Sequence, residues 1–171
     1  PAVPIVTAPA TVTTALNTPV AINLAAQISG VFSSIAISAA PSNGNATIAG
    51  TTVTYTPNTG YTGADSFRYT AAGTGGISLP SPPVNINILP AAPVVTARSV
   101  AVAFATPIAI DLSAQISGNV TSIAVVSPPS NGTIASVIGK VVTYLPNGGF
   151  AGADSFTYRA TGPGGSSGVA T

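Results

Sequence analysis

One stretch of the sequence occurs twice, and this duplication limits the possible folds more than any other feature. Residues 51–71 read TTVTYTPNTGYTGADSFRYTA, and residues 140–160 read KVVTYLPNGGFAGADSFTYRA. The spacing between the copies is constant here, because Tyr144 follows Tyr55 by 89 positions (144 − 55 = 89) and Asp154 follows Asp65 by the same number. The chain therefore contains two modules, and roughly 85 residues is enough for each to bury its own core.

Each copy of this stretch predicts two β-strands joined by a loop. In VTYTP, Val53 and Tyr55 alternate with threonine, and in DSFRY, Phe67 and Tyr69 alternate with polar residues. Successive side chains on a strand point to opposite faces, so these four side chains can enter one core. The intervening PNTGYTGAD is rich in residues that form turns.

The loop carries a lone aromatic residue, Tyr61 in the first copy and Phe150 in the second. Two interpretations are open: the ring folds back to close one end of the core, or it is exposed and stacks against a sugar. We favour the first, because a lone aromatic residue between glycines closes a core more often than it binds a ligand.

Further patterns recur in the same order in both copies. Strands are predicted at residues 11–16, 19–24, 33–38, 46–48 and 84–89 of the first copy, and at 107–112 and 121–126 of the second. The AQISG segments at 26–30 and 114–118 are predicted to be turns, as are the Asn-Gly pairs at 43–44 and 131–132, since Asn and Gly tolerate positive φ. The Pro-rich stretches 1–9 and 89–97 are interpreted as linkers that precede each module.

About seven short strands per copy, without helical periodicity, predict an all-β fold of two tandem antiparallel β-sandwich domains. The domains are placed at residues 1–89 and 90–171. The second domain has no equivalent of the closing strand VNINIL at 84–89. We expect either that the sequence stops short of this strand or that a neighbouring chain supplies it.

Ionisable side chains are scarce, at 4% of the chain against a usual value of about 25%. The acids are Asp65, Asp111 and Asp154, and Glu, His and Cys are absent. Most general bases, thiol nucleophiles and zinc ligands are therefore missing, and we predict no catalytic, cofactor-binding or metal-binding residues. The chain is predicted not to be an enzyme. We interpret Asp65 and Asp154 as acceptors of backbone N–H bonds from nearby loops.

The charge balance and hydropathy exclude two classes of partner. The net charge is +1, which provides no basic surface for nucleic acid. Apolar runs are short, so membrane insertion is not expected. The chain does not begin with Met, which favours a piece of a longer or processed protein.

The string TVTYTPNTGYTGADSFRYTA resembles the bacterial Ig-like and cadherin-like tandem repeats of large secreted or surface-anchored proteins. The resemblance implies two Ig-like (cadherin-like) sandwiches at the bacterial cell surface or outside the cell. Many relatives carry an acidic, calcium-suited segment that is AAQISGVFSS and SAQISGNVTS here, so no calcium site is expected.

The resemblance implies a structural role as a spacer or stalk in a surface or adhesin-type protein. One alternative is a subunit of a self-assembling extracellular filament or sheath, joined by strand exchange or edge pairing. Another is a carbohydrate-binding module of a secreted enzyme. The expected partners are neighbouring copies of the module or chain, and possibly other surface proteins or glycans.

Overall fold

The computed structural model describes all 171 residues, which divide into two compact units, Pro1–Pro90 and Ala91–Thr171. Each unit consists of β-strands and one three-residue 3-10 helix, so the all-β prediction is confirmed. The chain contains no helix that combines the length and the apolar character needed to cross a membrane.

The first unit contains ten strands and a 3-10 helix at Ala25–Gln27. The strands are β1 (Ile5–Val6), β2 (Val12–Ala15), β3 (Val20–Asn23), β4 (Ile28–Ser29), β5 (Ser34–Ala39), β6 (Gly44–Ala49), β7 (Thr52–Pro57), β8 (Gly63–Gly73), β9 (Gly76–Ile77) and β10 (Val84–Leu89).

The second unit contains eight strands and a 3-10 helix at Ser113–Gln115. The strands are β11 (Val94–Val95), β12 (Ile108–Asp111), β13 (Ile116–Ser117), β14 (Ser122–Ser127), β15 (Gly132–Ile138), β16 (Val141–Pro146), β17 (Thr157–Gly162) and β18 (Gly165–Ser166).

Two sheets face each other across the core of the first unit. One has the order β2-β10-β8-β5, with β9 also paired to β8, and the other has the order β3-β7-β6. All pairings are antiparallel except that of β2 with β10, which is parallel and places Val12 beside Ile86 and Ala15 beside Leu89. The structure thus adds one parallel pairing to the antiparallel sandwich expected from the sequence.

The alternation of apolar and polar residues determines which face of each strand is buried. The side chains of Val53, Tyr55, Phe67 and Tyr69 are at most 1% exposed, as the sequence predicted. Each such side chain stabilises the fold by roughly 1.5–3 kcal/mol. The closing strand β10 follows the same rule, with these buried side chains: Val84, Ile86 and Ile88.

The Pro-rich segments are strands of their modules, and the prediction that they are linkers was wrong. In the first unit β1 pairs with β4, and in the second β11 pairs with β13. Val6 is buried, and the Tyr69 hydroxyl donates a 2.9 Å hydrogen bond to the carbonyl of Thr7. These strands are two residues long and pair with distant segments, so the proline content dominates their sequence pattern.

The AQISG segments are more structured than the predicted turns. Each contains part of a 3-10 helix followed by a two-residue strand, β4 or β13. Only the last residue has the backbone of a turn, with φ of +92° at Gly30 and +90° at Gly118. The pairing with β1 and β11 converts what looks like a turn into a short ribbon.

The Asn-Gly pairs lie where the chain crosses from one sheet to the other. Strand β5 pairs with β8, whereas β6 pairs with β7, so the chain crosses between the sheets at Asn43. Positive φ occurs at neither Gly44 nor Gly132. The chain bends at these pairs, as predicted, but without the positive φ on which the turn prediction relied, so the glycines are needed for another reason.

The second unit repeats most of this architecture but leaves one sheet incomplete. Its sheets have the orders β12-β16-β15 and β14-β17-β18. Strand β17 begins only at Thr157, and the structure contains no strand that corresponds to β2 or β10. Its buried core is correspondingly smaller and consists of Ile110, Leu112, Ile116, Val142, Tyr144, Tyr158 and Ala160.

The second module contains one extra residue between the Asn-Gly pair and the repeated stretch, and the structure accommodates it in strand β15. Strand β15 has seven residues where β6 has six. The register of β15 against β16 shifts between Ile134 and Ser136. The extra residue is accommodated as a β-bulge, which leaves the following residues in register with their partners.

Candidate functional site

The carboxylate of Asp65 forms the densest polar cluster of the first unit. Its Oδ1 accepts hydrogen bonds from the backbone N–H groups of Ser42 at 3.1 Å and Ser66 at 2.9 Å. Its Oδ2 accepts bonds from the N–H of Asn43 at 2.9 Å and from the Tyr55 hydroxyl at 2.8 Å. Asp65 therefore ties the connection between the two sheets to a buried ring of β7.

Asp154 repeats this arrangement in the second unit. Its Oδ1 accepts bonds from the N–H groups of Ser130 and Ser155, and its Oδ2 from the N–H of Asn131 and the Tyr144 hydroxyl, both at 2.9 Å. Burial raises the pKa of the Asp154 carboxyl, but these hydrogen bonds outweigh burial and hold the pKa below its ordinary value. The resulting stabilisation is present above the unfolded-state pKa of about 3.9 and is lost as the pH falls through the lower folded-state pKa.

We call each aspartate with its four donors a carboxylate node. A carboxylate offers about four acceptor sites, and each node uses all four for hydrogen bonds within the fold. The interpretation of Asp65 and Asp154 as acceptors of loop N–H bonds is confirmed. The tyrosine partner was missed, although in both copies Tyr precedes Asp by ten residues.

The glycines after the crossing asparagines leave room for the tyrosine rings of the nodes. A Cβ atom on Gly44 would lie 2.5 Å from Cε2 of Tyr55 and 2.7 Å from the carbonyl oxygen of Thr56. A Cβ atom on Gly132 would meet Tyr144 and Leu145 in the same way. These glycines are therefore required by close packing against the rings.

The two loop aromatic residues have different surroundings. Tyr61 is half-buried and packs against the first core, and its hydroxyl donates a 2.6 Å hydrogen bond to the carbonyl of Ala64. This contact supports the core-plug interpretation over an exposed sugar platform. Phe150 is also half-buried, but it lines a cleft of the second unit.

That cleft lies beside the incomplete sheet and has a volume of about 480 Å³. We call it the second-unit cleft. Its charged lining residues are Arg98 and Asp154. The carboxylate of Asp154 already accepts the four hydrogen bonds of its node. Its apolar walls include Val100, Val102, Phe104, Phe150, Phe156 and Tyr158.

The third acid, Asp111, belongs to neither node. It is exposed, and hydrogen bonds from Ser113 hold the pKa of its carboxyl below the ordinary value. The corresponding residue of the first unit is Asn23, which accepts the same type of bond from the N–H of Ala25. The bond from the N–H of Ser113 to Oδ1 of Asp111, at 2.8 Å, fixes the local backbone in the same way.

We expect the first unit to lose stability at alkaline pH, because its buried tyrosines must then ionise. Burial raises the pKa of Tyr69 to about 12. The pKa of Tyr55 is also raised, mainly by burial and in addition by its hydrogen bond to Asp65. Both lie above the ordinary value of about 10, so the stabilisation is present below pH 10 and is lost as the pH rises through the folded-state values. Absorbance at 295 nm and circular dichroism should show these tyrosines ionising late, together with unfolding.

The urea-unfolded chain is the control for this titration. All five tyrosines are expected to ionise near pH 10 once the chain is unfolded. Ionisation of every tyrosine near pH 10 with the β-structure intact would contradict the burial of Tyr55 and Tyr69.

Comparison with known proteins places both units in one family. A family model described as a bacterial Ig domain matches residues 2–79 and residues 90–171. No curated protein matches the chain.

Among solved structures, the chain is similar to a variant of an endo-fucoidan hydrolase from glycoside hydrolase family 107. The identity is 16% and the TM-score 0.41, over 99% of this chain and 28% of the hydrolase. A second endo-fucoidan hydrolase of that family gives 17% identity and a TM-score of 0.35, over 94% of this chain and 32% of the hydrolase. The chain thus spans a third or less of these enzymes.

Proposed function

The chain belongs to the bacterial Ig domain family, with one module in each unit, and we propose that its modules act as a load-bearing spacer. In this proposal they form part of a stalk in a bacterial surface or adhesin-type protein, outside the cell. Their partners are neighbouring modules of the same kind, and their role is to transmit tension.

The parallel pairing of β2 with β10 is the observation that carries this proposal. The two strands lie near opposite ends of the first unit's sequence, and Val12 pairs with Ile86 while Ala15 pairs with Leu89. The preceding strand β1 pairs with β4 over only two residues. Once β1 has detached, a pull on the two ends of the unit acts on β2 at its first residue and on β10 at its last. Because the strands are parallel, this pull slides them lengthwise and loads all of their hydrogen bonds together.

The polar chemistry of the chain supports a structural role over a catalytic one. The carboxylates of Asp65 and Asp154 are each committed to four hydrogen bonds within the fold. No His, Cys or Glu is available as a base or nucleophile. A carbohydrate-binding role has less support, because Tyr61 packs against the first core.

Single-molecule pulling can test the proposal, because the chain has no native Cys and handles can be attached at introduced thiols. One variant carries Thr11→Cys and Ala91→Cys, which pull along β2 and β10. We expect a high rupture force, since forced unfolding is governed by the unfolding barrier. Each complete event should lengthen the tether by roughly 3.5 Å per released residue.

The matched control uses the same unit in a different direction. Asn45 and Thr56 face each other in the antiparallel β6–β7 pair, and both are exposed. Handles at Asn45→Cys and Thr56→Cys load this pair one hydrogen bond after another, so a much lower rupture force is expected. Equal forces in the two geometries would remove the support for a load-bearing role.

A further inference from the structure

The dipeptide Asn-Gly occurs three times in the chain, and its copies have different surroundings. The three pairs are Asn43-Gly44, Asn131-Gly132 and Asn147-Gly148. The first two lie where the chain crosses between the sheets, and the third lies in the loop after β16. An Asn-Gly pair is chemically labile, because glycine has no side chain to keep its backbone nitrogen away from the side-chain amide of the asparagine. The reaction also requires the peptide group between the two residues to rotate.

The peptide group after Asn43 is held in place by the carboxylate node. The N–H of Asn43 donates to Oδ2 of Asp65 at 2.9 Å. Its carbonyl oxygen accepts bonds from the N–H of Asn58 at 2.8 Å and from the Tyr55 hydroxyl at 3.3 Å. The Tyr55 ring also packs directly against Gly44. Rotation of this peptide group would break these bonds, so the pair can react only when the node opens.

The pair at Asn131 is held in the same way. Its N–H donates to Oδ2 of Asp154 at 2.9 Å. Its carbonyl oxygen accepts bonds from the N–H of Asn147 at 2.9 Å and from the Tyr144 hydroxyl at 3.4 Å. Gly132 packs against the ring of Tyr144. Both crossing pairs are therefore protected by the fold.

The third pair lies in an open turn. Asn147 and Gly148 are exposed, and the carbonyl oxygen of Asn147 accepts one backbone bond, from the N–H of Phe150 at 3.1 Å. Gly149 has a φ of +83°, which is typical of the third residue of a type II turn. The N–H of Gly148 donates to no backbone carbonyl, and no atom lies within 4 Å of the position that a Cβ would take there. This peptide group can rotate at the cost of a single exposed bond.

The first unit has the same turn but lacks the labile pair. Asn58 and Thr59 are exposed, Gly60 has a φ of +80°, and the N–H of Tyr61 donates to the carbonyl of Asn58 at 3.0 Å. The exposure is thus a property of this loop in both units. The branched side chain of Thr59 crowds its own backbone nitrogen, whereas the second unit has a glycine at this position.

We propose that Asn147 is a site of spontaneous covalent modification through loss of its side-chain amide. The backbone nitrogen of Gly148 loses its proton and bonds to Cγ of Asn147. The bond from Cγ to the amide nitrogen breaks, and ammonia leaves with that proton. Water then opens either C–N bond of the resulting succinimide ring and gives aspartate or isoaspartate. The proposal goes beyond the load-bearing role and does not depend on it.

Either product changes the charge of this sparsely charged chain. One new carboxylate takes the net charge from +1 to zero (1 − 1 = 0). Isoaspartate in addition routes the backbone through the side chain of residue 147 and lengthens the turn that the N–H of Phe150 closes. The modified chain should therefore separate from the unmodified chain by ion exchange or isoelectric focusing.

The test is an incubation of the intact, folded chain in warm, mildly alkaline buffer, which favours loss of the backbone proton. Peptide mass mapping measures the conversion of amide to acid at each asparagine, and an isoaspartate-specific methyltransferase detects the second product. We expect Asn147 to react at least about tenfold faster than Asn43 and Asn131, because those pairs react only from an opened node. All three rates come from the same sample.

Two controls separate the effect of the fold from that of the dipeptide. In urea the nodes are lost, so the three pairs should react at similar rates. The variant Gly148→Thr recreates the Asn-Thr-Gly turn of the first unit, and it should lower the rate at Asn147 to that at Asn58. It should leave the rates at Asn43 and Asn131 unchanged.

Three results would overturn the proposal. The first is equal rates at the three pairs in the folded chain, which would show that the nodes give no protection. The second is a rate at Asn147 far below its rate in urea, which would show that the turn protects this pair as well. The third is an unchanged rate at Asn147 in Gly148→Thr.

Discussion

Replacement of Asp65 by alanine is expected to lower the free energy of unfolding of the first unit by about 3 kcal/mol or more. The change removes the acceptor of four hydrogen bonds, and it leaves the buried Tyr55 hydroxyl with only the carbonyl of Asn43 at 3.3 Å. The N–H groups of Ser42 and Asn43 lose their partner as well. Urea unfolding, followed through the amide signals of the first unit, measures the loss separately from the second unit.

The control for Asp65→Ala is Asn23→Ala in the same unit. Asn23 is exposed, and its Oδ1 accepts one backbone bond, from Ala25 at 2.9 Å, and one long bond from the Thr51 hydroxyl at 3.3 Å. Because both bonds are exposed to solvent, their loss should cost about 1 kcal/mol. Tyr55→Phe completes a double-mutant cycle with Asp65→Ala, and the two changes should be strongly non-additive because they share one bond. A cost for Asp65→Ala no larger than that for Asn23→Ala would contradict the structural role of the node.

Replacement of Gly132 by alanine should destabilise the second unit by about 2–3 kcal/mol. The new Cβ atom would lie 2.6 Å from the carbonyl oxygen of Leu145 and would overlap the ring of Tyr144. Movement of the ring would also strain the 2.9 Å bond from its hydroxyl to Asp154. The cost is steric, since Gly132 does not have positive φ.

Gly148 provides a matched control for Gly132→Ala within the second unit. It is exposed, it does not have positive φ, and no atom lies within 4 Å of the position that a Cβ would take. Gly148→Ala should therefore be neutral or slightly stabilising. Equal unfolding midpoints for the two variants would show that the glycine is not required by the ring of Tyr144.

The sequence predicted the sandwich core because that core follows from local alternation. Val53, Tyr55, Phe67 and Tyr69 all point inward, as a period of two requires, and the strand β10 was predicted at residues 84–89. The duplication strengthened these predictions, since each pattern occurred in both modules in the same order. The bacterial Ig resemblance is confirmed by the family matches in the two units.

The carboxylate nodes were only half predictable. The two aspartates were correctly interpreted as acceptors of loop N–H bonds. That Tyr55 also reaches Asp65 depends on the pairing of β7 and β8 with different sheets, which local pattern does not reveal. The same contact explains why Gly44 was misread, because the ring that requires a glycine lies on another strand.

The sequence pattern did not reveal which residues of the second unit lie outside strands. In the second unit the residues corresponding to β2 do not form a strand, and β17 begins at Thr157, five residues later than a full counterpart of β8, which would start at residue 152 (63 + 89 = 152). Strands at the edge of a sheet depend on their neighbours for hydrogen bonds. The residues that correspond to the neighbours of β10 thus lie outside strands in the second unit.

The rupture force of the first unit in two pulling directions tests the load-bearing account most directly. With handles at Thr11→Cys and Ala91→Cys, the account predicts a force several times that measured with handles at Asn45→Cys and Thr56→Cys, because only the first pair shears the parallel β2–β10 contact. A force along the first direction that is equal to or below the second would contradict it.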